Sequence, residues 1–192
     1  MITSERSGQI QALKNELAAT SESVKNLFSA HSEIDLLRSP AKGGWSAAEC
    51  LEHMTLTSNS LLPNFAQARE KAVRESLHSS APYSLDIVGK IFVKILEPPV
   101  RFGAPAPAQF LPVTPTSAKA ALEAFLDSQN RVAKELDQSE GISMVDVKVT
   151  SPANSAIKYN LYSAYRILTA HQRRHLAQAA KALPQTTPLR RN

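Results

Sequence analysis

Proline placement limits what this chain can fold into more than any other feature. Prolines at 82, 98, 99, 105, 107, 112 and 115 crowd one stretch, whereas long segments on either side carry apolar residues at three-and-four spacing. Proline removes a backbone donor and clashes with the preceding turn, so no long helix crosses residues 79–116. That stretch is expected to be a crossover between a second and a third long helix, with a short helix over 84–96 that places Leu85, Val88, Phe92 and Ile95 on one face. A connection this long either serves a site by covering one end of the fold or simply packs as a strap.

Four amphipathic helices flank this segment in pairs. The first spans about Glu5 to His31, with Ile10, Leu13, Leu17, Thr20, Val24, Leu27 and His31 in a heptad-like seam. After a connection over 32–44, the second runs from Ser46 to about Leu77, and Pro63 within it is expected to kink it or shift its last turns. The third starts at a Thr116 or Ser117 cap and reaches Gln138, with Phe125, Gln129, Val132 and Leu136 inward and Gly141 as its stop. The fourth is expected from about Ser155 to Leu183, ending before Pro184, with 184–192 as a tail. Residues 143–149 alternate like a strand but have no evident partner, so they are expected to be extended loop. This pattern predicts one all-α domain over 1–192, a four-helix bundle with a long proline-rich crossover between helices 2 and 3.

The second helix has a well-marked start. Gly43 and Gly44 break the chain, Ser46 is an N-cap with Glu49 three residues on, and Trp45 and Cys50 have the spacing of a hydrophobic staple. Three-and-four spacing then runs through Cys50, His53, Met54, Thr57, Leu61 and Phe65, which puts His53 on the buried side. On the fourth helix the inward stripe is Ile157, Leu161, Ala164, Leu168, His171, His175 and Gln178 or Ala179. Histidine thus replaces apolar residues on two different inward stripes. An HxxxH pair alone is a weak signal, since such pairs also arise as satisfied or exposed histidines. With His53 added, three neutral imidazoles from facing helices form a donor set for one divalent ion and leave a fourth position open. Zn, Ni, Fe and Mn all suit imidazole.

Other polar residues have competing explanations. Glu49 is one turn before His53 and is a candidate to hold the other ring nitrogen, although its capping role already accounts for it. Gln129 faces inward and is a candidate to hydrogen-bond whatever fills the open position. Cys50 reads as a small hydrophobe, and His31 and His78, at helix ends, read as surface residues. No further strong acid or base is evident near the triad, so catalytic residues are unassigned.

Composition narrows the partners. The net charge of +5 comes from basic residues spread along the chain, with local pairs only at Arg173 with Arg174 and Arg190 with Arg191 and no nucleic-acid motif. A small-molecule substrate is expected rather than nucleic acid. There is no membrane-length apolar run and no signal-peptide core at the start, and a lone cysteine forms no internal disulfide, which together predict a cytoplasmic protein.

The WSxxExLxH segment (Trp45, Ser46, Glu49, Leu51, His53) and the HxxxHxxQ segment (His171, His175, Gln178) resemble the DinB-like, or YfiT-like, superfamily of metal-binding four-helix bundles. The resemblance covers nearly the whole chain in helix count, helix order and crossover. It implies that His53, His171 and His175 are a metal triad, and that a homodimer through bundle faces is to be expected. Understood members are similar to thiol transferases and isomerases that use low-molecular-weight thiols such as bacillithiol or mycothiol; many others carry only the label of metal-dependent hydrolase. The expected function is therefore a metal-dependent S-transferase acting with a low-molecular-weight thiol. A metal-dependent hydrolase and a non-catalytic metal-binding bundle are the alternatives.

Overall fold

The computed structural model describes residues 2–78, 82–99 and 105–184. In chain order it contains α1 (Ile2–Ser29), α2 (Glu33–Leu37), α3 (Ala47–Arg74), α4 (Ile87–Leu96), a single 3-10 turn (Ala108–Phe110), α5 (Ala118–Gln138), β1 (Lys148–Ser151), β2 (Asn154–Asn160) and α6 (Leu161–Ala182). The four long helices close a ring in which α3 packs on α5, α5 on α1, α1 on α6 and α6 on α3. The fold is an all-α bundle with one small hairpin attached.

Two apolar clusters fix the helix directions. One gathers Leu13 and Leu17 of α1, Leu61 and Phe65 of α3, Val132 and Leu136 of α5, and Leu161 and Leu168 of α6. The other gathers Val24 and Phe28 of α1, Leu51 and Met54 of α3, Ala121 and Phe125 of α5, and Ala179. Thus α1 and α6 run from the first cluster to the second, and α3 and α5 run from the second to the first. Because α3 and α5 are parallel, the chain must travel back along the bundle between them, and no short loop suffices. The segment between Arg74 and Ala118 makes that return, carrying α4 and the 3-10 turn on the way.

Buried polar side chains lie between the two clusters in sequence on all four helices: Thr20, Ser58, Gln129 and Gln172. Ser58 receives a hydrogen bond from Gln172 Nε2 at 3.3 Å, which ties α3 to α6 at this level.

Local chemistry explains the helix starts. Ser46 Oγ accepts from Glu49 N at 3.1 Å while Glu49 Oε2 accepts from Ser46 N at 2.8 Å, so the expected capping box is present and orients the first turn of α3. Ser117 caps α5 as expected. Through Pro63, which lies on the exposed side, α3 continues as helix. Within 32–44, Ser32 caps the short α2, a turn of helix that the connection was not expected to hold.

Two expectations are corrected together. Residues 148–151 are not loop, because they pair antiparallel with 154–160, matching Val149 to Tyr159 and Thr150 to Lys158. That pairing takes the residues assigned to the start of the fourth helix, so α6 begins at Leu161 behind an Asn160 cap, and Ile157 lies in a strand. Ile157, Leu161 and Ala164 have helical spacing by coincidence, and this spacing hid the strand. On α4, Val88 and Phe92 pack inward as expected, but Ile95 is largely exposed. Residues 79–81, 100–104 and 185–192, including part of the crossover and nearly all of the tail, lie outside the described residues.

α4 is seated by a polar junction that sequence reasoning did not foresee. Asp86 caps α4 through Gly89 N (2.9 Å) and also accepts from Asn160 N (2.7 Å), Lys148 Nζ (2.9 Å) and Ser163 Oγ (3.1 Å). One carboxylate therefore joins α4, the hairpin and the start of α6. Burial works to raise its pKa, but these four donors win and hold Asp86 below its ordinary value. At the far end of α4, Arg173 of α6 grips Glu97, with Nε to Oε2 at 3.1 Å, and reaches Glu16 of α1 at 2.6 Å. Arg173 is thus used in structural ion pairs rather than in a free basic patch.

Candidate metal centre

His53 on α3 and His171 and His175 on α6 meet in the groove between these helices. Each offers a ring nitrogen within 4.8 Å of the others. Spacing on α6 puts His171 and His175 one turn apart on one face, and their ring centroids are 4.4 Å apart. His53 faces them across the groove, with its Nε2 3.1 Å from His171 Nε2.

Tautomers make this arrangement a test of metal binding. His53 Nδ1 lies 2.7 Å from the carbonyl oxygen of Phe110, which can only accept, so Nδ1 carries the proton and Nε2 presents its lone pair to the other histidines. His175 Nδ1 is buried without a hydrogen-bond partner. An orphaned buried nitrogen is costly unless something binds it. Two imidazole nitrogens on one tetrahedral ion, each at about 2.0–2.1 Å, are separated by about 3.3 Å, close to the observed approach. The donor set, the second-sphere carbonyl and the orphaned atom all fit a divalent cation.

Electrostatics keeps the imidazoles in the binding form. Burial lowers the pKa of His53, only partly opposed by the Phe110 carbonyl. Burial again, then the charges of His175, His53 and Arg174, hold His171 well below its ordinary value. The same burial, with His53 and Arg174 beside it and Gln178 partly offsetting them, pushes His175 down to about 3. All three are neutral at pH 7, which is the ligating state.

Trp45 closes one side. Its ring centroid is 4.7 Å from that of His53 and 5.8 Å from that of His175, so it does more than staple the helix start. On the other side a cavity of about 340 Å³ opens from the triad. Its walls come from the end of α4, residues 105–110, the hairpin turn at 151–153 and the inner face of α6.

The remaining candidates fall outside the donor set. Glu49 does not hold His53, whose Nδ1 is taken by Phe110; its carboxylate binds Ser46 N and accepts from Thr114 Oγ1 at 2.8 Å, tying the crossover to the start of α3. Burial alone would raise the Glu49 pKa, but the Ser46 backbone and the Thr114, Ser46 and Ser39 hydroxyls lower it. Gln129 is buried with neither amide atom bonded, and it does not line the cavity. Cys50 is fully buried, and burial, aided by Glu49, pushes its thiol up to about 12, so it remains a protonated hydrophobe. His31 rests on the Leu27 carbonyl at 2.9 Å and exposed His78 on that of Gly141 at 3.2 Å, both outside the cluster. Phe110 was not legible as a site residue, because it acts through a backbone carbonyl that no side-chain pattern marks.

The sequence profile of the DinB superfamily matches residues 12–179, a span that holds both histidine segments and the crossover. The chain belongs to the DinB superfamily. No curated protein and no solved structure matches it. For this DinB-superfamily chain, the shared fold and the three-histidine cluster together fit a metal-binding protein. Among the described residues, no helix is long and apolar enough to cross a membrane.

Proposed function

We propose that this DinB-superfamily protein is a metal-dependent transferase that joins a low-molecular-weight thiol to an electrophile, with His53, His171 and His175 holding the divalent ion. The observation that carries the reading is the position of the triad on the wall of a ligand-sized cavity rather than in a closed knot of side chains. Structural zinc sites use four protein ligands, whereas three ligands and an open side suit chemistry on a bound molecule. When bound, the ion would supply a Lewis acid that lowers the pKa of a thiol or of water.

The chain's own residues favour thiol over water as the nucleophile. Among the described residues, no aspartate or glutamate lines the cavity. Hydrolytic zinc sites of the HExxH type pair the ion with a carboxylate base, whereas a thiol, with a pKa of about 8.5, needs far less help than water at 15.7. In the overall reaction the S–C bond forms as, for an epoxide, the C–O bond opens, and the thiol proton ends on that oxygen. The residues contribute by holding three neutral nitrogens in place, by fixing the His53 tautomer through Phe110, and by screening the site from water with Trp45 and the α4 wall.

The test has two steps. Metal analysis of purified protein should show about one divalent ion per chain, and metal-loaded protein should consume thiols, bacillithiol among them, faster than His171→Ala when given an epoxide or activated halide. Metal bound without any such rate difference would leave a non-catalytic metal-binding bundle.

A further inference from the structure

Among the described residues, the wall of the cavity away from the triad is mostly apolar, and the charged lining residue, Arg174, lies at the triad end beside His171 and His175. Phe92, Ile95 and Leu96 of α4 face Leu61, Ile167 and Leu168 of the bundle across the cavity. The hydroxyls in the lining are already engaged: Thr57 Oγ1 donates to the carbonyls of its own helix at His53 and Met54, both at 3.0 Å, and Tyr159 is hydrogen-bonded to Ser151. Against this wall a sugar or peptide would lose water without gaining side-chain partners, at a cost for each polar group so placed. A hydrocarbon chain or ring would lose nothing of the kind. The cavity's volume suits a small ligand, since about 340 Å³ corresponds to on the order of ten water-sized groups at about 30 Å³ each.

We infer that the cavity binds the apolar body of the substrate, an alkyl chain or ring of roughly six to ten carbons, with its reactive end directed to the histidine triad. This deepens the proposed function and rests on it only for what happens at that end: the electrophile is the hydrophobic partner, and the polar body of the thiol stays outside the cavity. α4 is the specificity wall, held in register by Asp86 at its start and by Arg173 on Glu97 at its end.

Binding of straight-chain 1-alkanols, from butanol to decanol, to zinc-loaded full-length protein tests this without any turnover. Isothermal titration calorimetry gives the affinities, and Trp45, the single tryptophan, gives an independent fluorescence signal beside the site. Affinity should rise about threefold to fourfold per methylene until the cavity is full, and glycerol and glucose should not bind. Ile95→Asp, at an exposed α4 position that folding tolerates, should weaken octanol at least tenfold and butanol much less. An affinity that does not depend on chain length, or an Ile95→Asp protein that binds octanol like the parent, overturns the inference. Repeating the series on zinc-free protein separates the two claims. Chain-length dependence in a protein that takes up no metal upholds the cavity and sinks the metal reading, whereas zinc uptake with a flat series does the reverse.

Discussion

At the scale of single residues, the site depends on nitrogens whose protons are assigned by their neighbours. The carbonyl of Phe110 fixes one tautomer at His53, and burial keeps all three rings neutral. Replacing His53, His171 or His175 by Ala should remove most of the bound metal, measured by atomic emission on the purified proteins, while the far-UV helical signal stays near that of the parent. Undiminished metal in all three variants would refute the triad. Ser46 tests a different link. Its hydroxyl serves Glu49 N, and the returning carboxylate also holds Thr114 of the crossover. Ser46→Ala should lower the stability by about 0.5–2 kcal/mol in denaturant melts, with metal content unchanged. Trp45, Ser46, Glu49, His53, His171 and His175 were all legible from their spacing. The true partner of His53 was not, because a backbone carbonyl carries no residue signature.

At the scale of elements, α4 decides whether the histidine cluster has a cavity beside it. Its first turn lies so close to α6 that a Cβ on Gly89 would stand 2.2 Å from Ser163 Oγ and 2.5 Å from Ser163 Cβ. Gly89 is needed there for close approach, not for an unusual backbone angle. Gly89→Ala should push α4 away from α6 and lower stability by about 1–3 kcal/mol. Ser163→Ala in the same chain should not restore it, since the Cβ itself is in the way. Hydrogen exchange over α4 is the direct readout, and protection equal to the parent in Gly89→Ala would show that the helix is not seated by this contact. The hairpin was not legible. Residues 143–149 read as extended loop, and only 148–149 of them enter the strand; its partner at 154–160 was hidden by apolar residues that also fit a helix, and only pairing in space separates the two.

At the scale of the whole molecule, the histidines couple the site to stability. Their folded pKa values lie below the unfolded value of 6.5, with His175 at about 3, so between these limits the unfolded chain binds more protons than the native one. Stability is therefore full above about pH 6.5 and falls as pH drops toward the folded values. Asp86 and Glu49, whose pKa values are also lowered, add a second loss of the same sign at still lower pH as their carboxylates are protonated. Metal-free protein should show a falling denaturant midpoint from pH 7 to 4, and His175→Ala should flatten that slope. A parent profile as flat as the variant's would contradict the buried neutral imidazoles. Metal should also be retained to lower pH than an ordinary imidazole allows. An imidazole at the ordinary value of about 6.5 would give up metal below about pH 6, but protons compete poorly for rings that burial has made weak bases.

Periodicity, capping and proline placement settled the existence and order of the four long helices, the start of α3, the break between α3 and α5, and the inward faces that carry the three histidines. These are local matters, since a cap, a proline or a three-and-four stripe acts within a few residues of itself. The parallel course of α3 and α5, the hairpin, the junction around Asp86, the grip of Arg173 on Glu97 and the apolar cavity beside the triad were decided only in the tertiary structure. Each of these joins residues far apart in the chain, such as Asp86 with Asn160 or Glu97 with Arg173, or matches one strand with another, and the free energy that selects them comes from packing and pairing between elements, which no single segment encodes.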